Sequence, residues 1–138
     1  MKKFLKISLC FVLLIISVLS FSACKKEPQT AYTDHRFLDF EKALIENDIE
    51  YKMVMKKDVS FVLGAKEGWG YEIENNYIVE LYTFDEKDES YQSFLKENFI
   101  DVAGNPTPVK FNGSICIYMS NWQNKKADKI FEIFKNLK

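Results

Sequence analysis

The residues able to do covalent or acid–base chemistry are few. Three cysteines (Cys10, Cys24 and Cys116) and a single histidine, His35, are spread over 138 residues. A Ser–His or Cys–His pair needs the base held against its nucleophile. His35 stands beside a polar stretch, and Cys116 lies far along the chain between Ile115 and Ile117, so an exposed helix-start histidine and a buried structural thiol are expected. Asp85, Glu86, Asp88 and Glu89 cluster as hard cations favour, but the spacing and central glycine of a calcium loop are missing. Carboxylates in a first helical turn, where the dipole stabilises them, account for that cluster. No glycine-rich phosphate loop occurs, and nothing points to the paired carboxylates of glycoside chemistry. No catalytic residue, no metal site and no cofactor are expected, and the chain is not expected to be an enzyme. Asn112-Gly113-Ser114 matches a glycosylation sequon, but a tight turn explains it equally well.

Aromatic residues are the most suggestive set. Trp69 sits between two glycines and is followed by Tyr71; Trp122 sits in a polar loop. Such tryptophans either plug one end of a core or anchor a partner, a setting in which Trp and Tyr are enriched. Trp69, Tyr71, Tyr82 and Trp122 are therefore the candidate partner-binding residues.

The first 24 residues carry an address. Lys2, Lys3 and Lys6 precede an apolar run over residues 7–19, and residues 20–23 are short and mostly small. That is the pattern of a secretory signal peptide, and the run is shorter than the roughly 20 residues of a spanning helix. An uncleaved membrane anchor is the alternative. Phe21-Ser22-Ala23-Cys24 resembles the lipobox of bacterial lipoproteins, with Phe21 where leucine is usual. The resemblance implies diacylglyceryl modification of Cys24, cleavage between Ala23 and Cys24, and a mature chain held by lipid at the outer face of the cell membrane. Two or more acyl chains anchor stably where one does not. It also implies residues 24–33 as a lipidated tether, with a single domain over 34–138. The domain itself has the look of the small uncharacterised lipoproteins of Gram-positive bacteria, which implies no particular role.

Loss of residues 1–23 removes three of 19 basic residues and none of 20 acidic ones, leaving 16 against 20 and a net charge of −4. A mildly acidic domain with one arginine, Arg36, is poorly suited to nucleic acid or to forked phosphate recognition. With Cys10 removed and Cys24 lipidated, Cys116 has no partner for a disulfide. Stability must come from a core, which 115 residues with 18 aromatics can build.

The elements that must position these residues follow from periodicity and turn chemistry. A helix is expected over 34–47, capped by Asp34 and closed by a left-handed Asn47. Residues 51–56 alternate as a strand, 58–65 fit a strand or a buried turn, and 64–70, with three glycines, reads as a loop. A hairpin joins 71–74 to 77–84 at Asn75-Asn76, and a second joins 109–111 to 114–120 at Asn112-Gly113. Helices are expected over 85–98 and 125–137, with a loop over 101–108 between them. The two hairpin–helix units are offset by 37 residues and are read as two copies of a common motif. The order α-β-(β)-β-β-α-β-β-α predicts an α+β fold: about five mainly antiparallel strands with three helices on one face, a two-layer sandwich. Strand 77–84 is apolar on both faces, so a sheet covered on one side only would expose Tyr82, Tyr118 or their neighbours as a binding surface.

Two functions remain. One is a membrane-anchored extracytoplasmic lipoprotein that binds a protein or another envelope partner without catalysis. The other is a small-ligand-binding or enzymatic domain with an aromatic and acidic pocket. Partner identity and oligomeric state are not encoded in any motif.

Overall fold

A computed structural model describes residues 31–74 and 76–138. The expected signal segment, Ala23 and Cys24 lie outside the described residues. Helix α1 spans His35–Glu46. The Asp34 carboxylate accepts from the Arg36 amide at 2.9 Å, satisfying one of the N–H groups that a helix start leaves unpaired. Phe37, Phe40 and Leu44 recur at helical spacing and are fully buried. The left-handed residue after α1 is Asp48, at φ 56°, one position beyond the expected Asn47.

Strand β1 (Met53–Lys56), β2 (Ala65–Glu74), β3 (Tyr77–Phe84), β6 (Lys110–Asn112) and β7 (Ile115–Met119) form one antiparallel sheet in the order β1-β2-β3-β7-β6. Helix α2 (Glu89–Glu97) follows β3, and β4 (Phe99–Val102) pairs with β5 (Asn105–Pro108) as a separate ribbon. Helix α3 (Ala127–Lys135) is the last of these elements. This is the α+β fold expected, with its antiparallel five-stranded sheet.

The placement of the helices differs from the expectation. Helices α1 and α3 pack on one face, here the inner face, against Trp69, Tyr71, Val79, Leu81, Ile115, Ile117 and Met119. Helix α2 packs on the opposite, outer face, where Tyr91 and Phe94 join Tyr82, Phe84, Ile100, Val109 and Cys116. Side chains alternate across a strand, and β3 and β7 present apolar residues both ways. Each large buried side chain stabilises by roughly 1.5–3 kcal/mol, so neither face can be left wet. Three layers result rather than two.

Two expected loops are strands. Gly64 alone turns the chain, at φ 74°; Gly68, Trp69 and Gly70 lie within β2. Gly68 is opposite Tyr82, and a Cβ there would stand 2.6 Å from the tyrosine ring. The glycine serves the close approach of an aromatic ring rather than a turn. Residues 99–108 form the β4–β5 ribbon, with Ala103 and Gly104 at φ 52° and 82° supplying its turn. Pro106 and Pro108 are tolerated because β5 is an edge strand.

Smaller shifts arise where Asp and Asn side chains bond to the backbone. Helix α2 starts at Glu89 rather than 85, since Asp85 first closes a turn through Asp88 and Asp88 then caps the helix onto Ser90 N at 2.8 Å. In the β6–β7 hairpin Asn112 pairs with Ile115, so the turn is Gly113-Ser114. The Asn112 amide instead donates to the Phe134 and Leu137 carbonyls at 3.0 Å, closing the end of α3.

Adding one methyl group at Gly68 forces the Tyr82 ring to move, whereas a methyl at Gly70 meets the flexible stem of Lys57 at 3.2 Å. Gly68→Ala is expected to lower the unfolding free energy by about 1–3 kcal/mol, and Gly70→Ala by less than about 1. Urea midpoints measure both, and an undisturbed Gly68→Ala protein would refute the ring-on-glycine contact.

Candidate functional site

The strand registers place outer-face residues in transverse rows. Met55, Gly70, Glu80 and Tyr118 stand directly opposite one another across β1, β2, β3 and β7. The adjacent row is Gly68, Tyr82, Cys116 and Phe111. Helix α2 and the β4–β5 ribbon cover the second row and stop short of the first. The ribbon is held to the segment after β1 by the Val62–Val102 bridge, with Leu63 N donating to Asp101 O at 3.0 Å and Ala103 N to Phe61 O at 2.7 Å.

Between that overhang and the first row lies a cleft of about 500 Å³. Glu80, Tyr82 and Tyr118 line its sheet side, Lys57, Asp58, Phe61 and Val62 one wall, and Ile100, Val102 and Thr107 the other. Lys57 Nζ lies 2.5 Å from Glu80 Oε1, and Tyr82 OH donates to Glu80 Oε2 at 2.6 Å. Burial, and then the neighbouring Glu80 carboxylate, push the Tyr82 phenol well above its ordinary range, so it stays a neutral donor. Phe61, 60% exposed, stands on the rim.

The four expected partner-binding residues are not together. Trp69 is buried, its indole N–H donating to Glu67 Oε1 at 2.8 Å, and Tyr71 is fully buried on the inner face. Both are corrections, because they plug the core rather than anchor a partner. Tyr82 is 3% exposed and serves as cleft floor through Glu80. Trp122 alone is exposed, at 37%, edge-on to Phe131 of α3 and outside the cleft. Sequence reading missed Lys57, Phe61, Glu80 and Thr107. Glu80 was legible as the face-mate of Tyr82, but the other three come from segments whose fold was misread or left open.

A second concavity of about 330 Å³ is lined by Thr33, Asp34, His35, Lys66, Glu67 and Thr83. Its centre is Glu67, 5% exposed, whose carboxylate accepts from the Thr33 hydroxyl, from the Thr33 and Asp34 amides at 3.2 Å each, and from Trp69. Nearby, fully buried Glu41 accepts from Tyr32 OH at 2.5 Å and from Tyr51 OH. Tyr32 also lies edge-on to Trp69, with centroids 4.6 Å apart. Tyr32 and Thr33, inside the expected tether, therefore belong to the fold, and this site is a structural latch on that segment.

The other candidates are spoken for. Arg36 forks onto Asp34, with Nε at 3.0 Å and Nη2 at 2.7 Å, and also donates to Ser114 Oγ at 3.3 Å. His35 is exposed, with Nε2 2.9 Å from the Lys138 carbonyl. Cys116 is buried under the outer layer, and desolvation pushes its thiol pKa up. Asp85 pairs with Lys66 at 3.0 Å. Among the described residues no three His, Cys, Asp or Glu side chains are grouped to hold a metal, and no helix is long and apolar enough to cross a membrane. Comparison with protein-family models, curated proteins and solved structures returned no match to this chain.

Burial acts to raise the Glu67 pKa, but the hydrogen bonds from Thr33, Trp69 and Asp34 outweigh it and hold the value below the ordinary one. A depressed folded pKa contributes stability above the unfolded value of about 4.3, and that contribution is lost as pH falls through the lower folded value. Glu67→Gln is expected to be destabilised by about 1–3 kcal/mol at pH 7. The gap to wild type should close as pH falls below about 4. Urea midpoints between pH 7 and pH 3 check this; a gap that stays constant would exclude the ionised latch.

Proposed function

We propose that this chain is a lipoprotein held at the outer face of a cell membrane by lipid on Cys24, and that its domain binds an envelope component without catalysing a reaction. The lipobox-like Ser22-Ala23-Cys24 after a positive and then apolar leader supports the address. The observation that carries the binding reading is the outer-face cleft: a walled concavity furnished with donors, acceptors and an exposed ring. Seven residues separate Cys24 from Tyr32 in sequence, a length that spans at most about 25 Å. The domain then works within a few nanometres of the lipid headgroups.

A small ligand, rather than a broad protein interface, is the second reading, and two observations favour it. Three of the four aromatic residues expected to anchor a protein partner are buried. The cleft's volume also falls within the roughly 300–1,000 Å³ of small-molecule sites.

Cys24→Ser is expected to abolish incorporation of radiolabelled palmitate and to leave the chain unprocessed or released from the membrane. Undiminished labelling of that variant would overturn the lipid assignment.

A further inference from the structure

We propose that the outer-face cleft takes a neutral sugar unit; this names the ligand class for the binding reading above and rests on it. The first consideration is charge. Among the described residues the one cation lining the cleft, Lys57, is spent on Glu80 at 2.5 Å, and Asp58 adds a negative charge in the wall. The chain's one arginine is forked onto Asp34 at the start of α1. A phosphate or carboxylate ligand would find no uncommitted cation and no fork. A cationic ligand would find Glu80 already neutralised by Lys57 and hydrogen-bonded by Tyr82, and Asp58 engaged in accepting from the Ser60 amide at 3.0 Å.

The second consideration is the backbone. Strands β3 and β7, which floor the cleft, each have a paired neighbour on both sides. Their N–H and C=O groups are committed to ladders, so an extended peptide cannot add to the sheet there. An acyl chain is opposed by the Lys57–Glu80 pair, whose charges it would strip of water without replacing their hydrogen bonds.

What remains is a neutral ligand with one apolar and one hydroxyl-bearing aspect. Phe61 and Val102 offer apolar surface on facing walls, and the Phe61 ring is open to the C–H face of a pyranose. Glu80 can accept, Lys57 can donate with the protons its ion pair leaves over, the Tyr118 hydroxyl can do either, and the Thr107 hydroxyl, which donates to the Asn105 carbonyl at 3.3 Å, can accept. Adjacent sugar hydroxyls, each both donor and acceptor, match that alternation. Glu80 and Tyr118 are direct cross-strand neighbours, so the recognition pair stands on two interior strands of the sheet.

The test is titration of maltotriose, cellotriose and chitotriose into the mature chain, followed by calorimetry. At least one is expected to bind with a Kd of about 1 mM or tighter. Tyr118→Ala and Glu80→Gln should each weaken that binding about tenfold, and Trp122→Ala should leave it unchanged. Because Glu80→Gln disturbs an ion pair, Thr107→Val provides an independent variant that leaves the pair intact and should also weaken binding. The proposal is overturned if none of the three sugars binds, if binding survives all three cleft substitutions, or if inorganic phosphate displaces the sugar. Binding of an unstructured tripeptide in the cleft, without sugar binding, would overturn the sugar assignment yet leave the binding cleft standing. Failure of both ligands to perturb the cleft would count against the cleft as well.

Discussion

Everything in this molecule follows from two strands that are apolar on both faces. Val79 and Leu81 of β3, with Ile115, Ile117 and Met119 of β7, point inward; Tyr82, Phe84 and Cys116 point outward, and all are buried. A sheet with one wet face would leave that outer set in water, at a cost of the same order as a small domain's whole net stability. Helices α1 and α3 close the inner face. The outer face has only α2 and a four-by-four-residue ribbon to cover it, and these reach as far as the Tyr82 row. The cleft is the boundary where the second layer runs out, and its polar residues are the ones that tolerate that boundary.

The polar groups taken into the interior are handled the same way throughout. Glu41 and Glu67 are buried carboxylates, and each is surrounded by donors from tyrosine, threonine, tryptophan or backbone. Among the described residues no buried side-chain nitrogen or oxygen lacks a hydrogen-bond partner. Removing one donor from the Glu67 site leaves its charge short of a hydrogen bond, which is why Thr33 and Asp34 are held against it. Cys116 needs no such partner; it packs as a small hydrophobe between the two layers.

Much of this was legible in the residues. The Asp34 cap, the helical spacing of Phe37, Phe40 and Leu44, the left-handed Asn76 before β3, and the alternation along β3 all encode local structure, and local structure is where they were read. What escaped is non-local. Gly-Trp-Gly reads as a loop until Gly68 is known to lie opposite Tyr82, and no window around Gly68 contains that fact. Pro106 and Pro108 argue against a strand unless that strand is an edge, which is a property of the sheet and not of the sequence. The side chosen by α2 depends on which face β3 still needs covered after α1 and α3 have docked. For the candidate site, Glu80, Tyr82 and Tyr118 could be assigned to one face from alternation alone. Phe61 and Thr107 reach the same cleft only through the Val62–Val102 bridge and the β4–β5 pairing.

The central claim is that the outer-face cleft is the surface at which this domain meets its ligand at the cell surface. The most direct measurement places a cysteine at Thr107 in the cleft, and separately at exposed Gln123, and compares maleimide labelling on intact cells with labelling of the purified protein; native Cys116 is buried and does not interfere. The cleft position is expected to be shielded on cells and to react freely once purified, while position 123 reacts in both settings. Equal reactivity of the two positions on cells would contradict the account.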